Sequence, residues 1–181
     1  MKNPTAYLSS PRGLTLATAV VVIALFRLVP HPPNVSPVAA LALFAGAHIT
    51  QRWLAIALPL MAMLISDLVL GFHPFMGVVY GAFALSTLIG GQLRGRVRPL
   101  PVVAGATSAS LLFFTITNFA VWLQGGFYPL TQEGLITCYS AALPFLENTL
   151  IGNLFYSTLF FGLFALAERR YPTIQQDAAV Y

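Results

Sequence analysis

The stretch Gln124–Asn153, QGGFYPLTQEGLITCYSAALPFLENTLIGN, decides how this chain can fold. It holds two of the five acidic residues, the only cysteine, a Gly-Gly pair and two prolines, and it separates two long apolar runs. The whole chain is 57% hydrophobic and 8% charged, whereas soluble domains carry about 25% charged residues. A polar block between apolar runs of such a chain is typical of a loop outside a lipid bilayer.

Outward from this block, the sequence predicts an all-α polytopic membrane protein. Continuous apolar runs, rather than alternating ones, disfavour a β-barrel. The block itself is predicted to be a structured fifth loop with a short amphipathic helix, Thr131–Leu143, which Thr131 caps at its start. Gly125-Gly126 and Pro144 are expected to act as its hinges. Six transmembrane helices are predicted, at Gly13–Val29, Val38–Thr50, Trp53–Leu70, Phe75–Leu93, Pro101–Leu123 and Thr149–Leu166.

The second predicted helix differs from the others. It has roughly 13 residues, whereas a span needs about 20, so it is expected either to tilt or to continue through Arg52 into the third helix. Its start is marked by Ser36-Pro37, a cap residue followed by proline. Ala42 and Gly46 form a small-xxx-small pair that favours close helix packing.

Basic residues indicate the orientation. With six spans, one side of the membrane receives Lys2, Arg12, Arg52, Arg94, Arg96, Arg98, Arg169 and Arg170, and only Arg27 falls on the other side. The positive-inside rule then places both termini in the cytoplasm. The predicted location is the bacterial inner membrane, with a leader (residues 1–12), a transmembrane domain (13–170) and a cytoplasmic tail (171–181).

Polar residues within the predicted spans gather near the outer surface. At about 1.5 Å per residue, Asp67 lies roughly 22 Å from Arg52, Asn153 roughly 24 Å from Arg169, and Asn118 roughly 30 Å from Arg98. In a core of about 30 Å all three occupy the outer third. Buried polar groups in membranes usually face a protein interior or a wet cavity, so they predict an outward-facing cavity. The alternative is that Asn118 and Asn153 only join helices.

His31 and His73 lie in the predicted outer loops and are candidate ligand contacts, although such histidines are also often solvated loop residues. Signals for enzymes are lacking, since the sequence has no Gly-x-Ser-x-Gly, HExxH, CxxC or phosphate-loop motif. The three histidines do not have metal-ligand spacing. We therefore expect no catalytic residues, no cofactor, no resident metal and no nucleic-acid partner.

Several short motifs resemble those of the substrate-binding S components of energy-coupling factor (ECF) transporters, especially the small solitary S components for cobalamin. They are Pro33-Asn34-Val35-Ser36, Ser66-Asp67-Leu68, Gly125-Gly126-Phe127-Tyr128 and Pro144-Phe145-Leu146-Glu147-Asn148, with Phe155-Tyr156 following. The sequence also resembles an uncharacterised bacterial family described as transport proteins. The resemblance implies a six-helix fold and uptake of a vitamin-like molecule, with contacts from Asp67, His73, Tyr80, Phe127, Tyr128, Glu147 and Asn148. Asn34, in the first of these motifs, is a further candidate contact.

The cobalamin S components hold cobalt with a loop cysteine, and in this chain His73 occupies that loop. If the solute is a corrinoid, His73 is the candidate cobalt ligand. Since the chain carries no ATP-binding motif, the energy for transport is expected to come from partners or from a gradient. The resemblance implies ECF transmembrane and ATPase subunits as such partners, alongside the lipid bilayer. The sequence thus predicts a carrier that imports a small organic solute. The alternatives are a non-transporting subunit of a larger membrane complex and a membrane enzyme.

Overall fold

The computed structural model describes residues 9–26, 28 and 34–175, which fold into six α-helices and one 3-10 turn. Three helices, Arg52–Leu70, Pro99–Leu123 and Gln132–Arg170, are long and apolar enough to cross a membrane, whereas Pro11–Val22, Val38–His48 and Met76–Gly91 are shorter apolar helices. The all-helical class is therefore confirmed, and six complete spans stay a prediction. The elements are α1 (Pro11–Phe26), α2 (Val38–His48), α3 (Arg52–Leu70), α4 (Met76–Gly91), α5 (Pro99–Leu123), α6 (Gln132–Arg170) and the turn Pro172–Ile174.

Helix α2 is the centre of the bundle. All 11 of its residues are buried, and it packs against each of the other five helices. A helix that is apolar on every side has no face for water and must be enclosed by protein or lipid. At about 1.5 Å per residue it is roughly 16 Å long, about half the depth of a bilayer core. Both of its ends are buried, at Val38 and at His48.

Glycines let α2 and α4 approach each other closely. A Cβ atom at Gly46 would collide with the backbone carbonyl oxygen of Thr87, and one at Gly90 would collide with that of Leu43. The close packing of α2 that its small residues predicted therefore occurs at Gly46, and the partner helix is α4.

Helix α2 ends before α3 begins, so it does not continue through Arg52. Ile49 is extended at its C-terminal cap, and α3 starts after Gln51, which is also extended. Arg94 holds this end in place because its guanidinium donates to three backbone carbonyls, those of Gly46 (2.9 Å), Ile49 (2.8 Å) and Thr50 (3.2 Å). The last carbonyls of a helix have no intrahelical partner, and Arg94 supplies one.

The predicted fifth loop needs correction. The expected short helix and the expected sixth span form one helix of 39 residues, α6, with Pro144 in its interior. Proline removes one helical hydrogen bond, but membrane helices tolerate this when neighbouring groups compensate. No glycine follows Pro144 until Gly152, and the helix continues through Pro144 to Arg170. The loop that remains is Gln124–Thr131, and Thr131 caps α6 as predicted by accepting from the amide of Gly134.

The predicted ends of the other helices are shifted by a few residues. Helix α1 begins at Pro11 and α5 at Pro99, each with proline in the first turn, where its missing N–H costs nothing. His31 and Arg27 lie outside the described residues, so the placement of these two predicted residues stays open.

Candidate functional site

A cavity of about 310 Å³ lies at the N-terminal end of α2, and we call it the α2 cavity. It is bounded by the segment before α2, by the loop between α3 and α4, and by α2 to α6. Five helices and two connecting segments thus meet around one volume. Its lining residues are Asn34, Ser36, Val38, Ala39, Met63, His73, Val79, Phe83, Phe113 and Thr149.

Aromatic and aliphatic side chains form the deeper wall of the α2 cavity. The rings of Phe83 and Phe113 stack with centroids 5.0 Å apart and an interplanar angle of 29°. Met63 is buried beside Phe83 in the same apolar cluster, which Val79 also joins. A flat apolar surface with an adaptable thioether next to it suits a planar or partly apolar solute.

Polar groups line the mouth of the α2 cavity. Asn34 is exposed and adopts the left-handed conformation with φ 63°, which asparagine tolerates better than most residues. His73 is also exposed. The start of α2 lies here too, since Val38 and Ala39 are lining residues. The positive end of a helix dipole and first-turn N–H groups favour an electronegative atom at this position.

Asp67 and Tyr80 lie beside the α2 cavity and are not among its lining residues. The Tyr80 hydroxyl donates to Oδ2 of Asp67 at 2.6 Å, and Asp67 is only 1% exposed. This bond joins α3 to α4, the two helices that supply Met63, Val79 and Phe83 to the lining of the α2 cavity.

The two predicted asparagines make contacts within the bundle. Asn153 is 1% exposed, and its amide donates to the carbonyl of Ala106 (2.8 Å) and to the hydroxyl of Ser110 (3.0 Å). Its oxygen accepts from Ser157 at 3.4 Å. Asn118 donates to the carbonyl of Phe114 on its own helix at 2.8 Å. The geometry therefore matches the alternative interpretation, in which Asn153 joins α6 to α5.

The remaining predicted contacts lie toward the surface. Phe127 is 78% exposed, Glu147 is exposed, and Tyr128 and Asn148 are partly buried. The loop that carries Phe127 and Tyr128 follows Gly125, whose φ of 71° requires glycine's freedom. Trp122 ties this loop to α5 by donating to the carbonyl of Pro129 at 3.0 Å. None of these four residues is among the lining residues of the α2 cavity.

Of the predicted site residues, the structure brings Asn34 and His73 together at one cavity. Sequence reasoning missed the other lining residues, notably Phe83, Phe113 and Met63. In the sequence they look like any apolar residues of a membrane helix. The one available signal was Ser36-Pro37, which marked where α2 starts and hence where the cavity lies.

A second, more polar cavity of about 520 Å³ lies at the opposite end of α2, and we call it the basic cavity. The Arg12 side chain lies at this cavity. Its guanidinium donates to the carboxylate of Glu168 at 2.6 Å and to the carbonyl of Ile174 at 2.7 Å. It thus joins α1 to α6 and to the terminal 3-10 turn. The other lining residues are Ala47, His48, Gly95, Val97, Phe161, Ala165, Arg169 and Gln175.

His48, which lines the basic cavity, lies in an aromatic environment. It is buried against the rings of Phe44, Phe161 and Phe164. Within the described part of the chain, no group of three or more His, Cys, Asp or Glu side chains lies close enough to hold a metal ion.

Residues 8–174 match DUF6580, a family of unknown function. Because the match covers nearly the whole sequence, the chain belongs to this family. No curated protein and no solved structure matches the chain.

Proposed function

We propose that this protein is a membrane carrier that binds a small, partly apolar organic solute in the α2 cavity and moves it across the membrane. The observation that carries the proposal is the cavity itself, where an apolar aromatic wall faces a polar mouth at the start of a buried helix. Ligand sites in helical bundles commonly have this composition, mostly apolar with a few placed polar groups.

The size of the α2 cavity guides the choice of solute. Small-molecule pockets measure roughly 300–1,000 Å³, and this one, at about 310 Å³, is at the lower limit. A corrinoid is larger than the drug-sized ligands for which that range holds. We therefore propose a smaller vitamin-like molecule with a flat ring, and His73 as a hydrogen-bonding group instead of a cobalt ligand.

The orientation and partners belong to the same proposal. The α2 cavity would open to the outside and the arginine-rich end would face the cytoplasm of a bacterial cell, in line with the positive-inside rule. Energy would come from ECF-type partner subunits or from an ion gradient. The resemblance to S components supports this choice.

The experiment is to extract small molecules from protein purified in mild detergent and to identify them by mass spectrometry. Phe113→Ala should lower the amount bound at least tenfold, because it removes one wall of the aromatic stack. Phe119→Ala is the matched control on the same helix, since Phe119 does not line the α2 cavity. Equal amounts from both variants, or no solute from the wild type, would refute the carrier.

A second candidate function, a non-transporting subunit of a larger membrane complex, is favoured by one observation. Asn153 is paired within the core, and Asp67 lies beside the cavity without lining it. A scaffold predicts such paired groups. It also predicts apolar outer faces, which helices of the partner subunits would cover in the complex. Purification of a stable larger complex from native membranes, with no solute bound, would support this function.

A further inference from the structure

An apolar groove of about 380 Å³ runs along the side of the bundle between α1 and α6, and we call it the α1–α6 groove. Its walls include Ala19 and Val22 of α1 and Leu159 and Leu163 of α6, and its floor includes Phe44 and Phe160. The backbones of α1 and α6 do not approach each other in the part of the chain that the structure describes. The groove is therefore a gap in the outer wall of the bundle.

The length of the α1–α6 groove matches one leaflet of a bilayer. On α6 its lining extends from Tyr156 to Ala167, which is roughly 16 Å at about 1.5 Å per residue. Half of a bilayer core is about 15 Å. Among the described residues, the lining runs from Ala167 to Tyr156 and Pro37. A stretch of this length accommodates an acyl chain of one leaflet.

The end of the groove that is nearest the membrane surface carries positive charge. Arg170 follows Leu163 by seven residues and Ala167 by three, so it lies on the same face of α6 as the groove. The Arg12 guanidinium lies 5.2 Å from the centre of the Phe164 ring, which lines the groove, and its charge is paired with the Glu168 carboxylate, so Arg170 is the cation left for a headgroup. Basic groups at the mouth of an apolar cleft between membrane helices favour the headgroup of an anionic lipid.

We propose that the α1–α6 groove is a specific binding site for an anionic phospholipid. One acyl chain lies against Phe44 and Phe160, and the phosphate lies against Arg170. This site is independent of the proposed transport function, because it lies outside the α2 cavity and shares no lining residue with it. It gives the gap between α1 and α6 an occupant that the surrounding membrane supplies.

The test uses the full chain reconstituted in vesicles of phosphatidylcholine and phosphatidylglycerol, followed by native mass spectrometry of the released protein. The wild type should retain one phosphatidylglycerol. Leu163→Trp fills the groove and should reduce this retention at least fivefold. Leu166→Trp is the control, because Leu166 is similarly exposed (60% against 57%) and does not line the groove.

A second pair of variants tests the headgroup. Arg170→Gln should reduce the preference for phosphatidylglycerol over phosphatidylcholine about fivefold, which corresponds to one basic contact. Arg169→Gln should keep the preference, since Arg169 lines the basic cavity instead. Thermal unfolding of all four variants checks that they fold. Equal lipid retention within both pairs, or a protein dimer without bound lipid, would overturn the proposal.

Discussion

Single residues on α2 and α4 determine whether the centre of the bundle can close. Gly46 and Gly90 lie where each helix touches the backbone of the other. Such contacts cannot be relieved by a side-chain rotation, because the obstructing atoms belong to helical backbone. The spacing of small residues in the sequence predicted close packing, but it could not name the partner helix.

Gly46→Ala should therefore destabilise the protein by about 3 kcal/mol or more, since overpacking at a fixed contact forces the helices apart. Gly81→Ala is the control on α4, where an added Cβ meets nothing within 4 Å. There the better helix propensity of alanine should leave the stability unchanged or raise it by up to about 1 kcal/mol. Thermal unfolding in detergent measures both. Similar melting temperatures for the two variants would contradict the close α2–α4 contact.

Arg94 is the second residue on which the position of α2 depends. Lysine would keep the charge but lose the planar fork that reaches three carbonyls at once. We expect Arg94→Lys to lower the free energy of unfolding by about 1–2 kcal/mol. Arg96→Lys, at an exposed position of the same loop, should have no measurable effect. If Arg94→Lys leaves the free energy of unfolding unchanged, this contact does not hold the end of α2.

At the scale of elements, α6 shows where the sequence was misleading. Gly-Gly and proline are typical of loop boundaries, and the sequence therefore predicted a lid with two hinges. Gly125 does end a helical region, with its positive φ. Pro144 does not, because the residues after it continue the helix. The cap at Thr131 was predictable, since threonine followed by glutamate marks a helix start in sequence alone.

Pro144→Ala distinguishes a continuous helix from a hinge. If α6 is continuous, alanine restores a backbone donor and should raise stability, by at most about 3 kcal/mol. Thermal unfolding measures the gain, and limited proteolysis of the wild type should leave the peptide bonds next to Pro144 uncut. Lower stability of the variant, or rapid cleavage at this position, would restore the hinge interpretation.

For the whole molecule, α2 separates two chemically different ends. Its N-terminus meets the α2 cavity, with Asn34 and His73 at the mouth, and its C-terminus is held by Arg94 close to the basic cavity. The asymmetry of charge was predictable from the sequence, because arginines recur at one set of helix ends. The α2 cavity was not predictable from the sequence, because Phe83 and Phe113 differ from other core aromatic residues only in that they line it. Nor could the sequence show that Asn153 finds its partners on α5.

The orientation of these two ends in the membrane can be measured by cysteine labelling. Cys138 is the only cysteine, is buried and donates weakly to the carbonyl of Asn118, so Cys138→Ser provides a background without reactive thiols. In it, Gly126→Cys lies in the loop before α6 and Arg96→Cys in the loop before α5, and both positions are exposed. The positive-inside rule places the first outside and the second in the cytoplasm.

A membrane-impermeant maleimide should therefore label Gly126→Cys in intact cells, and Arg96→Cys only after the cells are permeabilised. Because α5 joins the two loops and is long enough to span the bilayer, the two results must be opposite if α5 crosses the membrane. Labelling of both positions in intact cells would mean that α5 does not cross. The reverse pattern would place the α2 cavity on the cytoplasmic side, and the proposed carrier would then have to collect its solute from inside the cell.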